Sequence, residues 1–175
     1  MKKGLLFVLL ASLVAFPSMV WAQESYGYNP GDWEFTLNGS GSADEDFDDT
    51  LFSVEGSLAK FLTPGWEVGL RQGIGFADRE GSDNDWNGST RLFTDYNFDL
   101  NRLKPFVGVN AGYLYGDGVN DTWIAGPEAG LKFFVSPDAF VYGSAEYNYL
   151  LDEGDDDDLF EDARTVYSVG LGIRF

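Results

Sequence analysis

Ten charged residues recur at alternate positions of short apolar–polar segments: Glu34, Glu55, Glu67, Arg71, Arg91, Asp95, Glu128, Lys132, Glu146 and Arg174. Acids and bases mixed in this way could form ion-pair networks, and paired carboxyl groups could do acid–base work. The chain has no histidine, so no side chain has an unperturbed pKa near neutrality, and any general base would have to be a carboxylate. It has no cysteine either, so disulfides contribute nothing to its stability.

The remaining acids form runs. "DEGDDDD" (152–158) and "DEDFDD" (44–49) supply oxygen ligands suited to Ca²⁺ or Mg²⁺. Neither run has the regular ligand order with a closing bidentate glutamate that marks a dedicated site. The expectation is weak screening by divalent cations at Asp155, Asp156, Asp157 and Asp158, with no cofactor. Consecutive aspartates are more often solvated than catalytic, and the chain reads as non-enzymatic.

The elements that position the ten charges are strands. In "VYSVGLGIRF" (166–175), Tyr167, Val169, Leu171, Ile173 and Phe175 alternate with Ser168, Gly170, Gly172 and Arg174. Period two marks a strand with one apolar face. The same pattern predicts strands over 32–41, 51–61, 66–76, 86–99, 105–115, 122–134, 139–151 and 164–175. Abundant aromatics, 22 glycines and no later run long enough for a membrane helix agree with an all-β protein.

Lys2 and Lys3 precede an apolar run over 5–16, then Pro17 and Val20-Trp21-Ala22. This reads as a cleaved secretory signal over 1–22, with one domain over 23–175. The run is shorter than the roughly 20 apolar residues of a membrane helix and is followed closely by proline. Removing 1–22 takes two of eleven bases and no acid, leaving nine bases against 29 acids, a formal charge of −20. Such a chain repels nucleic acid and favours cations.

The connections between strands alternate in kind. "LTPGW", "DLNRLKP" and "VSPD" are tight, whereas 42–50, 77–85, 116–121 and 152–163 are longer and hold 19 of the 29 acids. In an up-and-down meander, alternate connections lie at opposite ends, giving one trimmed end and one acidic end. Outer-membrane barrels have this asymmetry.

Alternation alone does not say which phase is wet, because soluble barrels alternate too. The polar phase is rich in glycine and serine, including Gly69, Gly73, Gly108, Gly130, Gly172, Ser57 and Ser144. Small residues suit the cramped lumen of an eight-stranded barrel. The ten charges would then pair inside it. Trp33 and Trp66 lie at the trimmed end of the apolar phase and Trp86 and Trp123 at the other, as aromatic girdles would.

Three residues fit this reading poorly. Gln72 falls mid-strand in the lipid-facing phase, and Lys60 shares that phase near a turn, where its ammonium can snorkel. Pro127 stands inside a strand that has no edge, which predicts a bulge or a phase shift.

The stretches "GPEAGLKFFVSPDAFVYGSAEYNY" (126–149), "KPFVGVNAGYLYGDG" (104–118) and "YSVGLGIRF" resemble the small outer-membrane β-barrel proteins of the OmpA/OmpX type. The resemblance lies in strand architecture and covers nearly all of 23–175. It implies an eight-stranded antiparallel up-and-down transmembrane β-barrel in a Gram-negative outer membrane. It also implies that the barrel assembly machinery reads Tyr167, Val169, Leu171, Ile173 and Phe175 as an insertion signal. Enzymatic barrels of similar build rely on a histidine that this chain lacks. The partners expected are membrane lipid, lipopolysaccharide and divalent cations, around a monomer. Two roles stay open: a structural or surface-interaction barrel, and a narrow channel for small solutes or ions.

Overall fold

A computed structural model describes residues 26–43, 50–78, 85–117, 121–151 and 163–175. It contains eight strands: β1 Trp33–Ala43, β2 Thr50–Phe61, β3 Trp66–Asp78, β4 Asp85–Asn97, β5 Leu103–Tyr115, β6 Thr122–Phe134, β7 Ala139–Leu151 and β8 Ala163–Arg174. They form a closed barrel in sequence order, each antiparallel to its neighbours. Closure pairs the first strand with the last, so backbone donors and acceptors along the seam are satisfied within the wall over Glu34 to Asn38, as β structure crossing a bilayer requires.

Six strands differ by one or two residues at one or both ends from the alternation pattern, and where a strand is longer its ladder extends past the last apolar residue. Ala43 pairs with Thr50, and Thr50 with Asp78. β5 begins at Leu103, so Pro105 lies inside it. The Pro105 carbonyl accepts a hydrogen bond from Phe98 N at 2.8 Å, so its absent N–H also points toward β4. The β4 ladder has already ended there, at Asn97↔Phe106.

Pro127 corrects an expectation, since neither a bulge nor a phase shift occurs. Pairing of β6 with β7 lapses at residues 126 and 127, then resumes at Glu128↔Glu146 with the offset of Ala125↔Tyr149. On the other side, Val109↔Pro127 stays in register with β5. A Cβ added at Gly126 would stand 1.9 Å from the Tyr147 carbonyl oxygen. Glycine beside the proline lets β7 approach without any change of phase.

The seam between β1 and β8 runs only from Glu34↔Arg174 to Asn38↔Gly170. Beyond it, Trp33 and Phe175 exchange backbone hydrogen bonds of 2.8 and 2.9 Å. The loopward half of β8 pairs with β7 but not with β1.

The tight turns carry local side-chain caps. Thr63 Oγ1 accepts from Trp66 N at 3.0 Å, and Ser136 Oγ accepts from Ala139 N at 3.0 Å. Asn101 adopts a φ of 67° in the turn between β4 and β5. Gly31, at a φ of 100°, turns the chain ahead of β1 so that Tyr26 and Tyr28 enter the turn end of the barrel.

Candidate functional site

Alternation sorts side chains by face. Phe35, Leu37, Leu58, Leu70, Ile74, Leu92, Val109 and Leu131 are exposed on the outer wall, while Glu34, Glu67, Arg91, Asp95, Glu128, Lys132 and Glu146 are buried inside. In water this would be an inverted protein. An apolar wall around a charged interior is stable only where the surroundings are apolar too.

The interior charges form two clusters. Toward the loop end, Arg71 bonds Glu128 through both Nη atoms, at 3.1 and 3.0 Å, and Glu146 at 2.8 Å. Arg91 joins Glu146 to Glu55. Asn110 donates to Glu128 at 2.8 Å, Asn148 to Glu146 at 3.1 Å and Asn38 to Glu55 at 3.2 Å. Arg71 also lies 4.5 Å from the Phe93 ring centroid. The carboxylates are thus held by charge-assisted bonds that offset their desolvation.

Toward the turn end, Lys132 Nζ lies 2.7 Å from both Glu34 Oε1 and Glu67 Oε1. Tyr28 OH donates to Glu34 at 2.6 Å, and Asn97 Nδ2 to Glu67 at 2.7 Å. The rings of Tyr28, Phe61, Phe106 and Phe140 surround the same ammonium at 5.4 to 5.7 Å.

Two of the charged residues stand apart from these clusters. Asp95 is buried on the register row Glu67↔Asp95↔Gly108↔Glu128, between the two clusters, and its Oδ1 has no hydrogen-bond partner. Arg174 sits at the turn end, bonded to Asp138 at 3.2 Å and to the Gly27 carbonyl. Acids therefore outnumber bases in both clusters as well as between them: six carboxylates face Arg71, Arg91 and Lys132.

An aromatic layer closes the turn end. Tyr26, Tyr28, Phe61, Phe134, Phe140 and Tyr142 form one buried cluster, with Tyr28 stacked on Phe61 at 3.7 Å. Beside it, the buried Lys104 donates to Asp99 at 2.6 Å. That hydrogen bond holds the Asp99 carboxyl, in the turn after β4, below the usual carboxylate range. This layer is absent from the sequence reading. Phe61, Phe93, Phe106, Phe134 and Phe140 share the parity of the polar residues, which was the available signal, whereas 26–32 precede the first strand and have no periodicity.

The inward glycines make room for these large groups. Phe93 stands opposite Gly69, Phe106 opposite Gly130 and Phe140 opposite Gly172 across their ladders. A Cβ at those glycines would come within 2.5, 2.4 and 2.0 Å of the facing ring.

On the outer wall, Trp33 and Trp66 open β1 and β3 at the turn end, and Trp86 and Trp123 lie near the starts of β4 and β6 at the loop end, all exposed. Tyr167, Val169, Leu171, Ile173 and Phe175 line the outward face of the closing strand. Gln72 is internally satisfied, donating to Tyr115 OH at 2.8 Å and accepting from Thr90 Oγ1 at 2.7 Å. Asp155 to Asp158 and the expected signal over 1–22 lie outside the described residues.

No protein-family model matches the chain, and no curated protein matches it by sequence. Solved structures do match. The N-terminal β-barrel domain of Pseudomonas aeruginosa OprF is 19% identical with a TM-score of 0.56, over 85% of this chain and 99% of that one. The outer membrane protein OprG from the same organism is 14% identical with a TM-score of 0.56, over 87% and 99%. Neisserial surface protein A is 16% identical with a TM-score of 0.53, over 82% and 94%. At these identities the likeness is one of fold, and the apolar outer wall supplies the environment. The chain has the fold of the small outer-membrane β-barrels of the OmpA/OmpX type, with an exposed apolar outer wall suited to a membrane.

Proposed function

We propose that the protein is a monomeric, non-conducting barrel with a structural or surface-interaction role. The observation that carries this reading is the filled lumen, where the Arg71–Arg91 network lies above the Lys132 cluster and the aromatic layer. An eight-stranded bore is just wide enough to be filled by side chains. Arg71, Arg91 and Lys132 are each engaged by at least two carboxylates, so an ion passing through would have to break several charge-assisted bonds.

The long acidic connections are the surface through which such a barrel would act. They would meet lipopolysaccharide through shared divalent cations, or the surface of another cell. The tryptophans would act as interfacial girdles, and the outward face of β8, ending at Phe175, would be read by the barrel assembly machinery. A catalytic role is not part of this reading: the lumen carboxylates other than Asp95 are committed to ion pairs and the chain has no histidine.

Planar-bilayer recording of the purified protein tests this. The expected record shows no resolved single-channel steps. Reproducible unitary conductance from the wild-type protein would overturn it in favour of a narrow path for small ions or solutes.

A further inference from the structure

The outer wall carries a groove of about 750 Å³. It spans the row Leu58↔Leu70↔Leu92↔Ala111 from β2 to β5 and reaches Trp33 and Lys60 at the turn end. The floor is low because Val68, Thr94 and Ala111 are small. Flanking relief comes from the Trp66–Tyr96 pair on the turn side and from Tyr113 and Tyr115 on the loop side.

Lys60 is the one basic residue at an outward-facing strand position among the described residues. It pairs in register with Trp33, and its Nζ lies 5.3 Å from that ring centroid. None of the ion pairs among the described residues includes it. By contrast, Lys104 and Arg174 at the same end are engaged by Asp99 and Asp138. A lone ammonium beside an interfacial tryptophan, at the mouth of an apolar groove, complements a phosphate whose acyl chain runs into the groove. With no ion pair to Lys60 among the described residues, its charge is left to meet the headgroup, which favours a lipid of net negative charge. In this fold the short turns face the periplasm, where the leaflet is phospholipid.

We propose that the groove binds one anionic diacyl phospholipid of the periplasmic leaflet, with its phosphate on Lys60 beside Trp33 and an acyl chain along Leu58, Leu70 and Leu92 to Ala111. The proposal rests on the barrel spanning the membrane.

Native mass spectrometry of the full-length protein in detergent, titrated with phosphatidylglycerol, tests it. A retained one-to-one adduct is expected. Lys60→Gln should weaken it roughly fivefold, the worth of one lysine near an anionic lipid surface. Lys60→Arg should keep it, and Ala111→Phe should lower it by filling the groove while leaving the cation in place. Equal adducts in wild type and Lys60→Gln would overturn the site, as would equal retention of phosphatidylethanolamine, preferential retention of lipopolysaccharide, or a dimer in place of the adduct. Insertion into liposomes, followed by heat-dependent migration, checks the membrane reading separately: failure there sinks both, whereas insertion with an unchanged Lys60→Gln adduct sinks only the lipid site.

Discussion

Arg71 and Glu128 meet fork to fork across the lumen, with Nη1 3.1 Å from Oε2 and Nη2 3.0 Å from Oε1. They stand on β3 and β6, which share no ladder, so the pair braces the barrel through its bore. The same guanidinium reaches Glu146 at 2.8 Å. Removing it would strip two buried carboxylates of a partner.

Arg71→Ala and Arg91→Ala should each therefore destabilise the barrel by about 3–5 kcal/mol, the usual cost of breaking a buried pair from one side. Asp156→Asn, in the acidic run, should change stability by less than about 0.5 kcal/mol. Urea unfolding in lipid bilayers makes the comparison. Equal small shifts for the arginine and the aspartate variants would mean that the lumen is open to water.

Asp95 should respond with the opposite sign. It is buried, makes no ion pair among the described residues and adds a sixth carboxylate to a lumen held by three bases. Asp95→Asn keeps the shape and replaces an acid set between Glu67 and Glu128 with a neutral amide that can donate to Glu128, so stability should rise by roughly 1–3 kcal/mol, the scale of satisfying a buried polar group. A loss of stability on the same urea curves would show that the charge itself is needed.

Two glycines on adjoining strands should differ sharply. At Gly126 a new Cβ would lie 1.9 Å from the Tyr147 carbonyl oxygen, whereas at Gly143 the nearest atom is the Ser168 carbonyl oxygen at 3.7 Å. Gly126→Ala should cost about 1–3 kcal/mol or more through backbone displacement, and Gly143→Ala should be nearly neutral. Folded yield after refolding into detergent, read by heat-dependent migration, would rank them.

Asp99 carries a pH signature outside the wall. Its carboxyl is held below the ordinary range by the Lys104 hydrogen bond. A depressed folded pKa stabilises the fold above the unfolded pKa, near about 3.9, and that contribution is lost as pH falls through the folded value. The stability gap between wild type and Asp99→Asn should thus be present at neutral pH and vanish in strong acid. It should be small, because the carboxylate is 62% exposed and screened. A gap independent of pH would point to packing in place of charge.

Phe175 tests the closing strand. Its backbone exchanges hydrogen bonds with Trp33, and its ring is exposed on the outer wall. Phe175→Asp should leave the protein in the periplasm and cut its outer-membrane yield severalfold, since it places a charge on a lipid-facing position. Fractionation of cells expressing the variant gives the answer. Normal yield would separate Phe175 from assembly.

The number of strands, their antiparallel order and the parity of Glu34, Arg71, Lys132 and Leu70 were legible in the sequence. Side chains alternate with a period of two wherever a strand is extended, so the face each residue takes is decided locally. What lies at one depth was not legible, because depth depends on the stagger between strands around a closed sheet. That stagger alone brings Lys132 to Glu34, 98 residues away, and gathers Glu55, Glu128 and Glu146 around Arg71. It leaves Asp95 without an ion pair between the clusters and seats Tyr28, from ahead of the first strand, against Phe61. Parity could be read from neighbours in the chain, but partnership across the lumen existed only once the barrel had closed.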